Sequence, residues 1–104
     1  MNDTEGAKLL LSYDVQPGQM EEYFRFFVGR YIPLMQTLGL EVSEAWQTAY
    51  GKAPNRLIAF IAPSQERVLG VIQDEAWNEL NDELENFVFN FEYKVIPLKQ
   101  GFQF

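Results

Sequence analysis

LEVSEAWQTAYGKAPNRLIAFIA, residues 40–62, carries the signal that decides the fold. From Leu40 to Tyr50 apolar and polar side chains alternate. Leu40, Val42, Trp46, Thr48 and Tyr50 fall on one face, and Glu41, Ser43 and Gln47 on the other. That period of two is the mark of a strand. Gly51-Lys52-Ala53-Pro54-Asn55 has turn composition. Arg56–Ala62 then reads as a second strand, with Leu57-Ile58-Ala59-Phe60-Ile61 apolar on both faces. The pair forms a hairpin, expected in the middle of a sheet. A strand apolar on both faces needs helices against one and another cover against the other.

Working outward, Lys8–Val15 alternates Leu9, Leu11, Tyr13 and Val15 with Ser12 and Asp14, which predicts a half-buried strand stopped by Pro17-Gly18. Met20, Tyr23, Phe24, Phe27, Tyr31, Leu34, Met35 and Leu38 follow helical spacing, with Glu21 and Glu22 at the positive N-terminal end. Pro33 removes a backbone donor inside that run and predicts a kink. Gly39 suits the left-handed position that closes the helix. After the hairpin, Ser64 and Asp74 read as two N-caps, so the second helical region breaks near Gln73-Asp74. Its stripe of Trp77, Leu80, Leu84, Phe87, Val88 and Phe91 predicts a helix running to Phe91. Tyr93–Leu98 is the final strand, with Pro97 better suited to a sheet edge. The order is βαββαβ, a ferredoxin-like α+β domain over residues 1–104 with a four-stranded antiparallel sheet.

Composition narrows the chemistry. The chain has 104 residues, enough for one core and too few for two. Fifteen acids against eight bases give a net charge of −7. Nucleic acid and anionic membranes are therefore unsuited partners, because both demand a positive footprint. No His and no Cys occur anywhere, which removes Ser-His-Asp and Cys-His nucleophiles, zinc-thiolate sites and disulfides. There is no Gly-rich phosphate loop. The Met1 end lacks the basic and apolar regions of a signal peptide, and no apolar run approaches the ~20 residues of a membrane span. A soluble, cytoplasmic protein is the expectation.

The segments YDVQPGQMEEYFRFF, YIPLMQTLGLEV, SEAWQTAYGKAPNRLIAFIA and DEAWNELNDEL resemble the NIPSNAP-like branch of the dimeric α+β barrel superfamily. The resemblance spans about residues 8–98. It implies a ferredoxin-like protomer whose sheet pairs face to face with that of a second copy. Relatives of this architecture include cofactor-less monooxygenases, stress-response proteins and proteins of no known activity. Many carry His or Trp within the third strand, where this chain has Ala59-Phe60, so a site built there in relatives does not carry over.

The candidate ligand-pocket residues are Tyr13, Trp46, Tyr50, Asn55, Arg56 and Trp77. Trp46 and Tyr50 share a strand face, with Tyr13 close by on the first strand, and could line an aromatic pocket or serve as core and dimer packing. Asn55-Arg56 offers an amide and a guanidinium that could clamp a carboxylate or phenolate, or be a turn residue and a surface ion pair. Trp77 either caps a pocket mouth or begins a core stripe. The acid run of residues 74–92, with Glu79 and Glu83 one turn apart, reads as a solvated helix face. Asp14 is the carboxylate whose setting hints at perturbation. No cofactor and no metal are expected, and a haem would have to rely on Tyr or Met. Two functions stay open: a homodimer binding a small apolar or aromatic ligand, and a cofactor-independent, monooxygenase-like enzyme acting on an aromatic or polyketide-like substrate. Lack of His favours the first.

Overall fold

A computed structural model describes residues 6–48 and 55–98. The elements are β1 (Ala7–Val15), α1 (Met20–Phe26), a π-helical segment (Phe27–Tyr31), α2 (Ile32–Thr37), β2 (Glu41–Thr48), β3 (Asn55–Ala62), α3 (Gln65–Ile72), α4 (Glu75–Leu84) and β4 (Val88–Pro97). The strands form one antiparallel sheet in the order β2-β3-β1-β4. This is the expected ferredoxin-like arrangement. The hairpin pairs as read, but β2 lies at an edge of the sheet and only β3 lies within it.

One face of the sheet carries the core. Leu9, Leu11, Tyr13 and Val15 of β1 and Ile58 and Phe60 of β3 are buried on it. Register pairs Leu9 with Phe60 and Leu11 with Ile58. Against them stand Tyr23, Phe27, Tyr31 and Met35 from the first helical region, and Val68, Val71, Trp77, Leu80 and Leu84 from the second. The stripe Tyr23, Phe27, Tyr31, Met35 repeats every four residues, and such a stripe drifts around a 3.6-residue helix. The wider π turn counters that drift and keeps all four on the sheet.

That π turn also answers Pro33. The Ile32 N–H bonds back five residues to the Phe27 carbonyl, immediately before the residue that has no N–H to give. The backbone thus adjusts its winding around the proline. Of the residues expected in the buried stripe, Met20 and Phe24 are 36% and 58% exposed, because the sheet takes up the neighbouring four-residue row instead.

Helix ends follow the sequence. Ser64 Oγ accepts from the Arg67 N–H at 3.1 Å, and Asp74 Oδ1 accepts from the Ala76 N–H at 2.8 Å. Gly39 sits at φ 97°, where a Cβ would also run into the Arg67 guanidinium.

Two bulges correct the sequence reading. Register shifts between Val42 and Glu44, so Val42 pairs with Phe60 whereas Trp46 pairs with Leu57. Directly paired residues share a face. Val42 therefore lies on the helix side and Trp46 on the opposite, open side, although alternation had put them together. The second bulge lies opposite Tyr13, between the pairs Ser12–Glu92 and Asp14–Phe89, with Asn90 at φ 59°. It brings Val88 and Phe91, three residues apart, to the same side, which imitates helical spacing. The helix ends at Leu84, and residues 88–91 are strand rather than helix. Pro97 ends β4 at the sheet edge.

Candidate functional site

One set of polar groups in the helix-side core lies at the end of the sheet where β1 finishes and β3 begins. Tyr13 pairs with Arg56 across the two strands. Tyr23 descends from α1, and its hydroxyl meets that of Tyr13 at 2.6 Å, with the rings edge to face at 5.7 Å. The Arg56 guanidinium lies 5.4 Å from the Tyr23 ring centroid, a cation–π arrangement. Its Nη2 donates to Met20 Sδ at 3.1 Å, and a thioether is a weak acceptor. Its Nε is buried and has no hydrogen-bond partner.

Burial pushes the Tyr13 and Tyr23 hydroxyls above the ordinary tyrosine range. Contact between the two raises Tyr13 further, and the Arg56 charge opposes the rise in both. Both hydroxyls stay protonated at neutral pH and can donate hydrogen bonds. They are poorly suited to act as bases.

Over this cluster α1 presents Met20, Glu21, Phe24 and Arg25 and the π turn Val28 and Gly29, which with Arg56 line an open groove of about 760 Å³. Met20, Phe24 and Val28 recur every four residues and are all exposed. The sequence marks Met20 and Phe24 of this row, but as part of a buried stripe, and gives no sign of Val28; Tyr23, beside the row, reads there only as core.

The other candidates lie elsewhere. Trp77 is 2% exposed and sits in the core. Its Nε1–H donates to the Tyr31 hydroxyl at 3.0 Å, which donates to Asn81 Oδ1 at 2.7 Å, and its ring meets Tyr93 edge to face at 5.3 Å. Burial raises the Tyr31 hydroxyl as well, with the Trp77 hydrogen bond opposing. Trp46 stands 48% exposed on the open face, beside the Lys8–Glu44 ion pair of 3.4 Å. It cannot share a pocket with Tyr13, because the sheet separates them. Tyr50 lies outside the described residues. Asn55 pairs with Thr48 and Asp14 through its place in β3, and its side chain is outside those described. Of the four candidates whose side chains are described, Tyr13 and Arg56 are brought together, and Trp46 and Trp77 stand apart from them.

Some charged groups elsewhere have clear partners. Asp14, buried on the open side of β1, accepts from Asn90 Nδ2 at 3.1 Å. Arg30 grips Glu83 with two bonds of 2.7 and 2.8 Å. Those bonds hold the Glu83 carboxyl below its usual range and raise the guanidinium. Among the described residues no group of three or more acids forms a metal cage, and no helix is long and apolar enough to cross a membrane.

No protein-family model and no curated protein matches the sequence. Solved structures do match. A NIPSNAP family protein from Agrobacterium tumefaciens superimposes with a TM-score of 0.69 at 18% identity, over 99% of this chain and 93% of that one. A NIPSNAP domain protein from Burkholderia xenovorans gives 0.67 at 8% identity, over 93% and 98%. A Bacillus cereus protein assigned to antibiotic biosynthesis monooxygenases gives 0.62 at 13% identity, over 95% and 98%. At such identities the likeness speaks for the backbone alone. The chain has the ferredoxin-like α+β fold that these NIPSNAP proteins share.

Proposed function

We propose that this protein is a homodimer in which each protomer binds a small apolar or aromatic molecule in the groove between α1 and the start of β3. The observation that carries the reading is the groove itself, about 760 Å³ with Met20, Phe24 and Val28 exposed along it. Small-molecule sites are of the order of 300–1,000 Å³, mostly apolar, with few polar groups. Arg56, lying over the buried Tyr23 ring, supplies a polar group at one end.

The dimer rests on the open sheet face, where Trp46, Leu57, Ile61 and Phe89 are exposed. Rows of this kind mark interaction surfaces. Light scattering at micromolar concentration should return twice the 12.1 kDa chain mass, and Leu57→Glu should return the single mass. A wild-type monomer would end the dimer proposal.

The groove is tested with N-phenyl-1-naphthylamine, a neutral aromatic probe whose fluorescence rises on leaving water. One site per chain is expected. Phe24→Asp should weaken binding about tenfold or more, since a buried Phe contact is worth roughly 1.5–3 kcal/mol and 1.4 kcal/mol is tenfold. Phe24 is 58% exposed, so the fold should survive the change. Binding that ignores Phe24→Asp and disappears in Trp46→Asp would move the site to the sheet face.

A further inference from the structure

We infer that the ligand of this groove is an organic acid, an apolar or aromatic body bearing one carboxylate that docks on Arg56. The inference rests on the groove reading above and names the chemistry at its polar end. Arginine receives a carboxylate best along one edge, through two parallel N–H groups. The Nε–H and one Nη2–H lie along such an edge. On Arg56 that edge is covered but poorly satisfied: Nε is buried with no partner, and Nη2 has the Met20 thioether at 3.1 Å. A buried N–H without an acceptor is costly, and a sulfur acceptor recovers little of that cost.

Charge points the same way. The two other ionic side chains lining the groove, Glu21 and Arg25, lie 3.7 Å apart as a pair. Arg56 has no carboxylate within ion-pair distance among the described residues. The groove therefore carries one positive charge in excess, in a chain whose net charge is −7. An incoming carboxylate takes the place of the Met20 sulfur, satisfies Nε and Nη2 together, and leaves the Tyr23 ring against the guanidinium face. Met20 is unbranched and part-exposed, so it can turn aside at low cost. The apolar body of the acid then lies along Phe24 and Val28.

The test is competition against bound N-phenyl-1-naphthylamine by two probes with one naphthalene body, 1-naphthoate, ionised at neutral pH, and 1-naphthylmethanol, neutral. Naphthoate should displace the probe at a concentration roughly tenfold lower or more, the margin a charge-assisted bidentate contact gives over a neutral one. Arg56→Gln should erase that margin while leaving naphthylmethanol within about twofold. Met20→Leu, which removes the sulfur acceptor and keeps the bulk, should retain or widen it. Retained binding of the neutral probe shows that each variant is folded. Equal displacement by acid and alcohol in the wild-type protein would overturn the acid and leave the groove standing. Failure of the neutral probe itself to bind would overturn both.

Discussion

Replacing Trp77 with alanine is expected to lower stability by about 3–5 kcal/mol, the range for emptying a large buried aromatic site. A domain of this size is stable by only some 5–15 kcal/mol, so the loss is a large share of the total. Three contacts disappear together: the fit of the indole among the core side chains, its edge-to-face contact with Tyr93, and the hydrogen bond to the Tyr31 hydroxyl. Trp77→Phe separates them. It keeps a ring in the core and leaves Tyr31 donating to Asn81, so a cost nearer 1–2 kcal/mol is expected. Urea unfolding measures both. A Trp77→Ala cost below about 1 kcal/mol would mean that the indole is not enclosed as described.

The second large effect is a steep loss of stability at alkaline pH. Tyr13, Tyr23 and Tyr31 are raised above the ordinary range in the folded chain, in each case chiefly through burial. In the unfolded chain they ionise near pH 10. Below that pH both states keep the protons, and the stability that the hydroxyls contribute is fully present. Above it the unfolded chain releases protons that the folded chain retains, so stability falls as pH rises. Between its unfolded and folded values a group contributes up to about 1.4 kcal/mol per pH unit, Tyr13 and Tyr31 together up to about 3 kcal/mol per unit, and Tyr23 adds in the same direction. Absorbance of tyrosinate should therefore show these three ionising only as the fold is lost. Their smooth titration near pH 10 with the fold intact would contradict the buried cluster.

Much of the architecture could be read from local pattern. The period of two in Leu9-Leu11-Tyr13-Val15, the caps at Ser64 and Asp74, and Gly39 at the helix end depend on neighbours in sequence, so one chain suffices to see them. Bulges do not work that way. A bulge exists only against a partner strand, and the two here shift the phase of Trp46 and of Val88–Phe91. That is why Trp46 was grouped with Tyr13 and why residues 88–91 looked helical. The groove was hidden for a related reason. Met20-Phe24-Val28 and Tyr23-Phe27-Tyr31-Met35 are two rows with the same four-residue spacing, and spacing cannot tell which row meets the sheet. The π turn before Pro33 and the register of β1 on β3 decide it. Arg56 is marked by its type and position beside a turn, but its cross-strand partner Tyr13, and the edge that only the Met20 sulfur meets, depend on the fold.

The fold leaves two apolar surfaces in view, the α1 groove and the open face of the sheet; under the proposed function the first is assigned ligand binding and the second association. Amide chemical-shift mapping separates them directly. Titration of the isotopically labelled protein with N-phenyl-1-naphthylamine should move resonances of Met20, Phe24, Val28 and Arg56 and leave those of Trp46, Leu57 and Ile61 in place. Shifts confined to Trp46, Leu57 and Ile61 would contradict the assignment.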